Sequence, residues 1–341
     1  MSSTYIHFFI IPSLCYCYFI SAKIPKGILR LISLLPIIYI FTILPLYYSS
    51  AFLIAITTFS ITWLSNFKLL LFAFDLGLLS KNESTNKLSL PIFISLAALP
   101  LRKKQHNFTQ KKKIPLNFSA KFILFAVILD IIFHHKSEIH PNLVLICYSL
   151  MIFLMIDILI TFLIIFFEIF VGIELEPPSN EPYLSTSLQD FWGRRWNLTV
   201  TNTLRLTVYN PVRLVLFEVV GKEWAQGIAT LATFIVSGLM HELIFYYVTR
   251  VRPSWEMTWF FVIHGLCVIV EIKVKRVLKD TWQLHGLVSG PLTVGFVMAT
   301  AFGLFFPPLI RNGADEKVLQ EVGFCFDLLK DKMLQFVGHF R

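Results

Sequence analysis

Residues 142–173 read NLVLICYSLMIFLMIDILITFLIIFFEIFVGI, an apolar run broken by only two charges, Asp157 and Glu168. A helix needs about 20 mostly apolar residues to cross a hydrocarbon core of about 30 Å. This run exceeds that length, which predicts a transmembrane helix. Comparable runs flank it at 5–21, 29–48, 50–65, 119–133, 226–248, 256–272 and 285–310, with shorter apolar pieces at 67–79, 91–100 and 206–219. Of 341 residues, 56% are hydrophobic and 15% charged, with a mean hydropathy of +0.69. The 34 Phe side chains exceed what one soluble core could hide, whereas lipid solvates them. Only helices and closed barrels cross bilayers. The expected fold is all-α, a polytopic bundle of about seven to nine spans forming one integral-membrane domain over 1–341.

The net charge of +9 does not mark a nucleic-acid binder, because the basic residues lie between apolar runs rather than on a folded surface. Lys23, Lys26 and Arg30 follow the first run, and Lys81, Lys87, Arg102, Lys103, Lys104 and Lys111 to Lys113 crowd a basic loop over about 80–118. The positive-inside rule places both clusters in the cytosol. An outside N-terminus and three spans satisfy this, and two more spans return residues 174–202 to the same side. The sequons at Asn82, Asn107 and Asn117 fall in that basic loop and pull the other way. Cys15, Cys17, Cys147, Cys267 and Cys325 lack metal-ligand spacing and read as small buried hydrophobes. The first run has no basic flank before it and no small-residue cleavage site, so it reads as a retained anchor. No internal repeat appears, which counts against a secondary transporter.

The stretch 174–202 is polar and Pro-broken, and reads as a re-entrant or interfacial segment. Its prolines stop any helix, Ser185 or Thr186 is placed to cap a new one, and Trp192, Trp196, Arg194 and Arg195 are headgroup-level anchors by type. Ionisable residues inside apolar runs cost about 2.5–3.5 kcal/mol each or more, so each needs a reason. They are Asp75, Asp130, Asp157, Glu168, His241, Glu242, His264 and Glu271. His241 sits mid-run with Ser237 one turn earlier on the same face and Gly238 beside it, a polar notch next to an imidazole. The pair His241-Glu242 begins a zinc-protease signature, but Phe245 stands where the second His belongs, so no metal site follows. No serine elbow, P-loop or dinucleotide fingerprint is present.

The stretches 187–198 (SLQDFWGRRWNL) and 236–245 (VSGLMHELIF) resemble the plant wax synthase, or long-chain-alcohol O-fatty-acyltransferase, branch of the membrane-bound O-acyltransferases. So do 63–74 (WLSNFKLLLFAF), 259–265 (WFFVIHG) and 287–295 (LVSGPLTVG). The resemblance implies an endoplasmic reticulum enzyme that esterifies a long-chain alcohol from fatty acyl-CoA, with acyl-CoA as substrate and no cofactor. It implies Asn197 and His241 as the reactive centre, and Trp192, Arg194, Arg195, Trp196 and Ser237 near the acyl-CoA. Many superfamily members carry Asp-Trp where this chain has Arg194-Arg195; these two either contact CoA phosphates or anchor the segment. His241 is expected to act as general base in direct transfer, with Asn197 orienting the thioester or stabilising the oxyanion. Glu242 is expected to pair with another helix, and His264 with Glu271 to form a structural seam. Sterol acylation is the nearest alternative, and a non-catalytic lipid-binding protein a more distant one.

Overall fold

The computed structural model describes residues 7–80, 88–103, 118–172, 174–278 and 284–338. Most of the basic loop, including Lys81, Lys87, Lys104, Lys111 to Lys113 and the sequon residues Asn82, Asn107 and Asn117, lies outside them. The described residues form helices and no strand, with one isolated bridge between Lys103 and Leu175.

In chain order the helices are α1 (His7–Phe19), α2 (Ile28–Ile43), α3 (Ala51–Thr57), α4 (Asn66–Ala73) and α5 (Leu90–Ala98). Then come α6 (Phe118–His135), α7 (Pro141–Val171), α8 (Leu188–Asp190), α9 (Leu198–Leu204) and α10 (Asn210–Thr249). The chain closes with α11 (Glu256–Leu278), α12 (Gly286–Thr300), α13 (Phe306–Arg311) and α14 (Ala314–Gly338). Seven stretches among the described residues are long and apolar enough to span: Ile28–Tyr47, Ala51–Ala73, Phe118–His135, Pro141–Val171, Leu198–Thr249, Glu256–Leu278 and Gly286–Arg311. The run expected at 5–21 forms the 13-residue α1, and the piece at 91–100 the nine-residue α5, both shorter than a bilayer crossing needs. The piece at 67–79 is the end of the α3–α4 span, and 206–219 is continuous with 226–248 through α10, broken at Gly221 (φ +78°, ψ 169°).

Contacts sort the helix ends onto two rims. At one, Gly27 N–H meets Ala73 O, Tyr18 O–H meets Leu88 O, Arg102 pairs with Glu176, and Gly286 abuts Thr186. At the other, Arg250 reaches the carbonyls of Pro45 and Leu46, Glu321 meets Ser50, and Lys136 meets Asp315. The described members of the two basic clusters, Lys23, Lys26, Arg30, Arg102 and Lys103, belong to the first rim, while Lys136 and Arg250 stand at the second.

Among the described residues four π-helical stretches interrupt or extend the α-helices, at Thr58–Ser65, Phe191–Arg195, Arg205–Tyr209 and Ala301–Phe305. A π turn adds one residue per turn and so rotates the face that follows it, and such turns recur at functional sites. Helices α10 and α11 pack closely because Gly238 has no side chain: a Cβ there would stand 2.8 Å from Thr258 Cα. Gly238 thus serves the helix contact rather than opening a notch beside His241.

Candidate active site

A cavity of about 810 Å³ runs through the bundle, from Gln189 in the polar segment to Val318, Leu319 and Val322 of α14. This falls within the range of about 300–1,000 Å³ typical of ligand pockets. Its walls are overwhelmingly apolar, and all four π stretches contribute to them: Ser60 and Trp63, Trp192, Arg205 and Tyr209, and Phe305. Trp63, near the end of the first of these stretches, is buried together with Thr62, Leu64 and Ser65 and borders the cavity.

His241 lies in the wall of this cavity. Its Nδ1 is 2.7 Å from Ser237 O, and a carbonyl only accepts, so Nδ1 bears the hydrogen and the neutral ring keeps its lone pair on Nε2. Among the described residues nothing hydrogen-bonds that Nε2. Phe261 stacks on the imidazole at 4.4 Å, Trp63 stands against it at 5.2 Å and Phe305 at 5.7 Å. The ring is held on three sides by aromatic surface, with its basic nitrogen unspent.

The other ionisable groups in apolar runs are engaged. Asp75 pairs with Arg30 at 2.5 Å, Asp130 with His134 at 3.1 Å, and Asp157 with Lys121 at 2.8 Å and with Ser179. Glu168 accepts from Leu175 N–H. Glu242 accepts from Thr258 N–H at 3.2 Å, at the first turn of α11, where a carboxylate is favoured by the unpaired amides. Glu271 accepts from Leu188 N–H at 2.8 Å, and His264 bonds Trp192 and Thr300.

The polar segment folds into a compact plug. Ser185 closes the turn at Pro182–Leu184 by bonding Pro182 O, so the cap expected from Ser185 or Thr186 falls to Ser187, whose Oγ accepts from Asp190 N–H. Arg195 donates to Asp190 at 2.6 Å and to the carbonyls of Asn180 and Glu181, stitching the plug together. Arg194 is exposed, and neither arginine lines the cavity. Trp192, Trp196, Asn197 and Ser237 do line it. Arg205, exposed and unpaired among the described residues, supplies a cation to the cavity in their place. Its only signal in the sequence was a lone Arg bordering the 206–219 piece. Trp63, Phe261 and Phe305 also escaped a sequence-based assignment, because aromatic residues in an apolar run read as lipid-facing.

Asn197 caps α9 from a left-handed backbone (φ +38°), its Oδ1 accepting from Val200 N–H at 3.3 Å. That bond takes one lone pair of the oxygen and leaves both amide N–H donors unspent among the described residues. A base with a free lone pair and an amide donor therefore share one apolar chamber. Such an arrangement suits removal of a hydroxyl proton and stabilisation of an oxyanion where water is scarce.

Residues 175–263, which contain both Asn197 and His241, match the membrane bound O-acyl transferase family. The chain is 44% identical over 319 residues to acyl-CoA–sterol O-acyltransferase 1 of Arabidopsis thaliana, covering 92% of this chain and 91% of that protein. It is 44% identical over 339 residues to the long-chain-alcohol O-fatty-acyltransferase of Simmondsia chinensis, covering 96% and 95%. It is 42% identical over 327 residues to probable long-chain-alcohol O-fatty-acyltransferase 3 of Arabidopsis thaliana, covering 95% and 94%.

Proposed function

Because the chain belongs to the long-chain-alcohol O-fatty-acyltransferase branch of the membrane-bound O-acyltransferase family, we propose that it esterifies a long-chain alcohol with the acyl group of fatty acyl-CoA. The product is a wax ester, and the site of action is the endoplasmic reticulum membrane with the basic rim in the cytosol. The observation that carries this is the free Nε2 of His241 in an apolar cavity shared with Asn197.

His241 Nε2 takes the proton of the alcohol as its oxygen attacks the thioester carbonyl carbon. The negative charge collects on the carbonyl oxygen, to which the Asn197 amide donates; such a donor is worth about 2.7–4 kcal/mol. As the carbon–sulfur bond breaks, the imidazolium returns its proton to the leaving CoA sulfur. No acyl-enzyme forms, and the proton count closes on His241. The apolar walls exclude water and so favour the alcohol over hydrolysis. The CoA moiety approaches from the cytosolic rim, and Arg205, exposed in the cavity wall, offers a guanidinium to a phosphate. Trp192, Trp196 and Ser237 border the thioester.

A sterol acceptor is the second reading, supported by the 44% identity to a sterol acyltransferase. Expression in membranes lacking ester synthesis, with labelled acyl-CoA and fatty alcohol, sterol or diacylglycerol supplied separately, distinguishes them. Wax ester is the expected product. Sterol ester alone overturns the wax assignment, and no ester with any acceptor overturns the enzyme reading. Fractionation of a tagged chain away from endoplasmic reticulum markers overturns the compartment.

A further inference from the structure

The mechanism above employs one imidazole and leaves a second unassigned. His264, in the middle of α11, is wholly buried at 0% exposure, yet both ring nitrogens are bonded. Nδ1 lies 3.0 Å from Trp192 Nε1, and an indole only donates, so Nδ1 accepts and bears no hydrogen. The ring hydrogen is on Nε2 and goes to Thr300 Oγ1 at 2.8 Å. The Thr300 hydroxyl in turn donates to the carbonyls of Phe296 and Val297 at 2.8 and 3.0 Å. Donation therefore runs one way, from Trp192 through His264 and Thr300 into the backbone of α12. The tautomer is the reverse of that of His241, where Nδ1 carries the hydrogen.

Trp192 is what this line holds. Its indole forms part of the cavity wall and packs 5.7 Å from Phe261, the ring that stacks on His241. Its backbone carbonyl accepts from Thr201 Oγ1 at 2.9 Å, in the helix whose N-cap is Asn197. Trp192 thus touches the support of the base on one side and the helix behind the amide donor on the other. Without His264 its N–H is left unpaired in an apolar wall, which favours rotation of the indole toward another partner.

We propose that His264 is a positioning residue for acyl transfer: it locks the Trp192 indole in the cavity wall and thereby fixes the spacing of His241 and Asn197. This rests on the roles given to those two residues above. A misplacement of about 1 Å between reacting groups is enough to cost up to about 10²-fold in rate.

The test uses the full chain in membranes, with kcat and KM for acyl-CoA measured per amount of folded protein. The variants are His264→Leu, Trp192→Phe, their double, and His264→Asn, whose Oδ1 can take the place of Nδ1 as acceptor. His264→Leu and Trp192→Phe are each expected to lower kcat by about 10- to 100-fold with KM nearly unchanged. The double should be no worse than either single, since both break the same bond, and His264→Asn should recover most of the rate. Additive losses in the double, or an unchanged kcat in Trp192→Phe, overturn the inference. If His264→Leu does not accumulate, Trp192→Phe and His264→Asn decide alone. A wild-type chain that makes no ester refutes the proposed function instead, whereas an active wild type with unmoved variants refutes only this step.

Discussion

Asn197→Asp separates catalysis from folding at a residue that serves both. Asn197 occupies a left-handed backbone at φ +38° and caps α9 through Oδ1. Asp caps as well as Asn and is among the few residues that enter that backbone region routinely, so the local fold should survive. Its carboxylate cannot donate, however, and it would stand beside the developing oxyanion. Loss of one such donor costs about 10²–10³ in kcat. Asn197→Ala loses the donor and the cap together, adding about 0.5–2 kcal/mol for the cap and about 1–2 kcal/mol for Ala in a left-handed conformation. Ester formation and thermal unfolding, measured on the same detergent-solubilised preparations, should therefore diverge. Asp should be folded and slow, and Ala both slow and less stable. An Asn197→Asp chain that turns over at the wild-type rate would refute the amide as oxyanion donor.

His241→Ala should lower the rate by about 10²–10⁴ while the chain still accumulates, as expected of a general base; wild-type ester synthesis at equal protein level would rule out His241 in that role. Gly238→Ala places a Cβ 2.8 Å from Thr258 Cα and 3.4 Å from Phe261 Cβ, where backbone cannot yield cheaply. It should destabilise by about 1–3 kcal/mol and slow turnover by shifting the ring stacked on His241, as unfolding and rate assays would register. Glu321 takes hydrogen bonds from Ser50 O–H, Ala51 N–H and Phe52 N–H. Burial opposes its charge, but those bonds prevail and hold the carboxyl below its ordinary 4.5. With a depressed folded value, its contribution is present above the ordinary carboxylate range and lost as pH falls through the folded value. Wild type should then exceed Glu321→Gln in thermal stability at pH 7 and lose that advantage in acid; a pH-independent gap would contradict the assignment.

The spans were legible because twenty apolar residues in a row admit few alternatives, and the polar segment at 174–202 stood out for the opposite reason. What periodicity could not show was phase. Each π turn shifts the face of its helix, so an even reading of 58–65 or 301–305 sends Trp63 and Phe305 in the wrong directions. The cap at Ser187 rather than Ser185 depended on which hydroxyl a neighbouring turn had already claimed. Arg194 and Arg195 were conspicuous as a pair, yet Arg195 is consumed by Asp190 and the adjoining carbonyls. Arg205, a single cation beside an apolar piece, carries no such signal in the sequence, yet it lines the cavity. His241 was conspicuous as an ionisable group in lipid, but so were seven others. Only the partner of each separates them, and several of those partners, such as Lys121 for Asp157, Thr258 for Glu242 and Trp192 for His264, lie on other segments of the chain.

The clasp between Glu321 and the start of α3 joins residues 271 positions apart. Membrane helices are made and threaded into the bilayer in order, so the Ala51 and Phe52 amides of α3 wait for their acceptor until Glu321 has been synthesised. The same late helix brings Val318, Leu319 and Val322 to the end of the cavity. Until that point the cavity lacks the apolar wall that Val318, Leu319 and Val322 contribute, and α3 lacks the acceptor for its first two amides. The order of synthesis therefore sets the order of assembly here: the clasp that ties α14 to α3 forms only after Glu321 has been made.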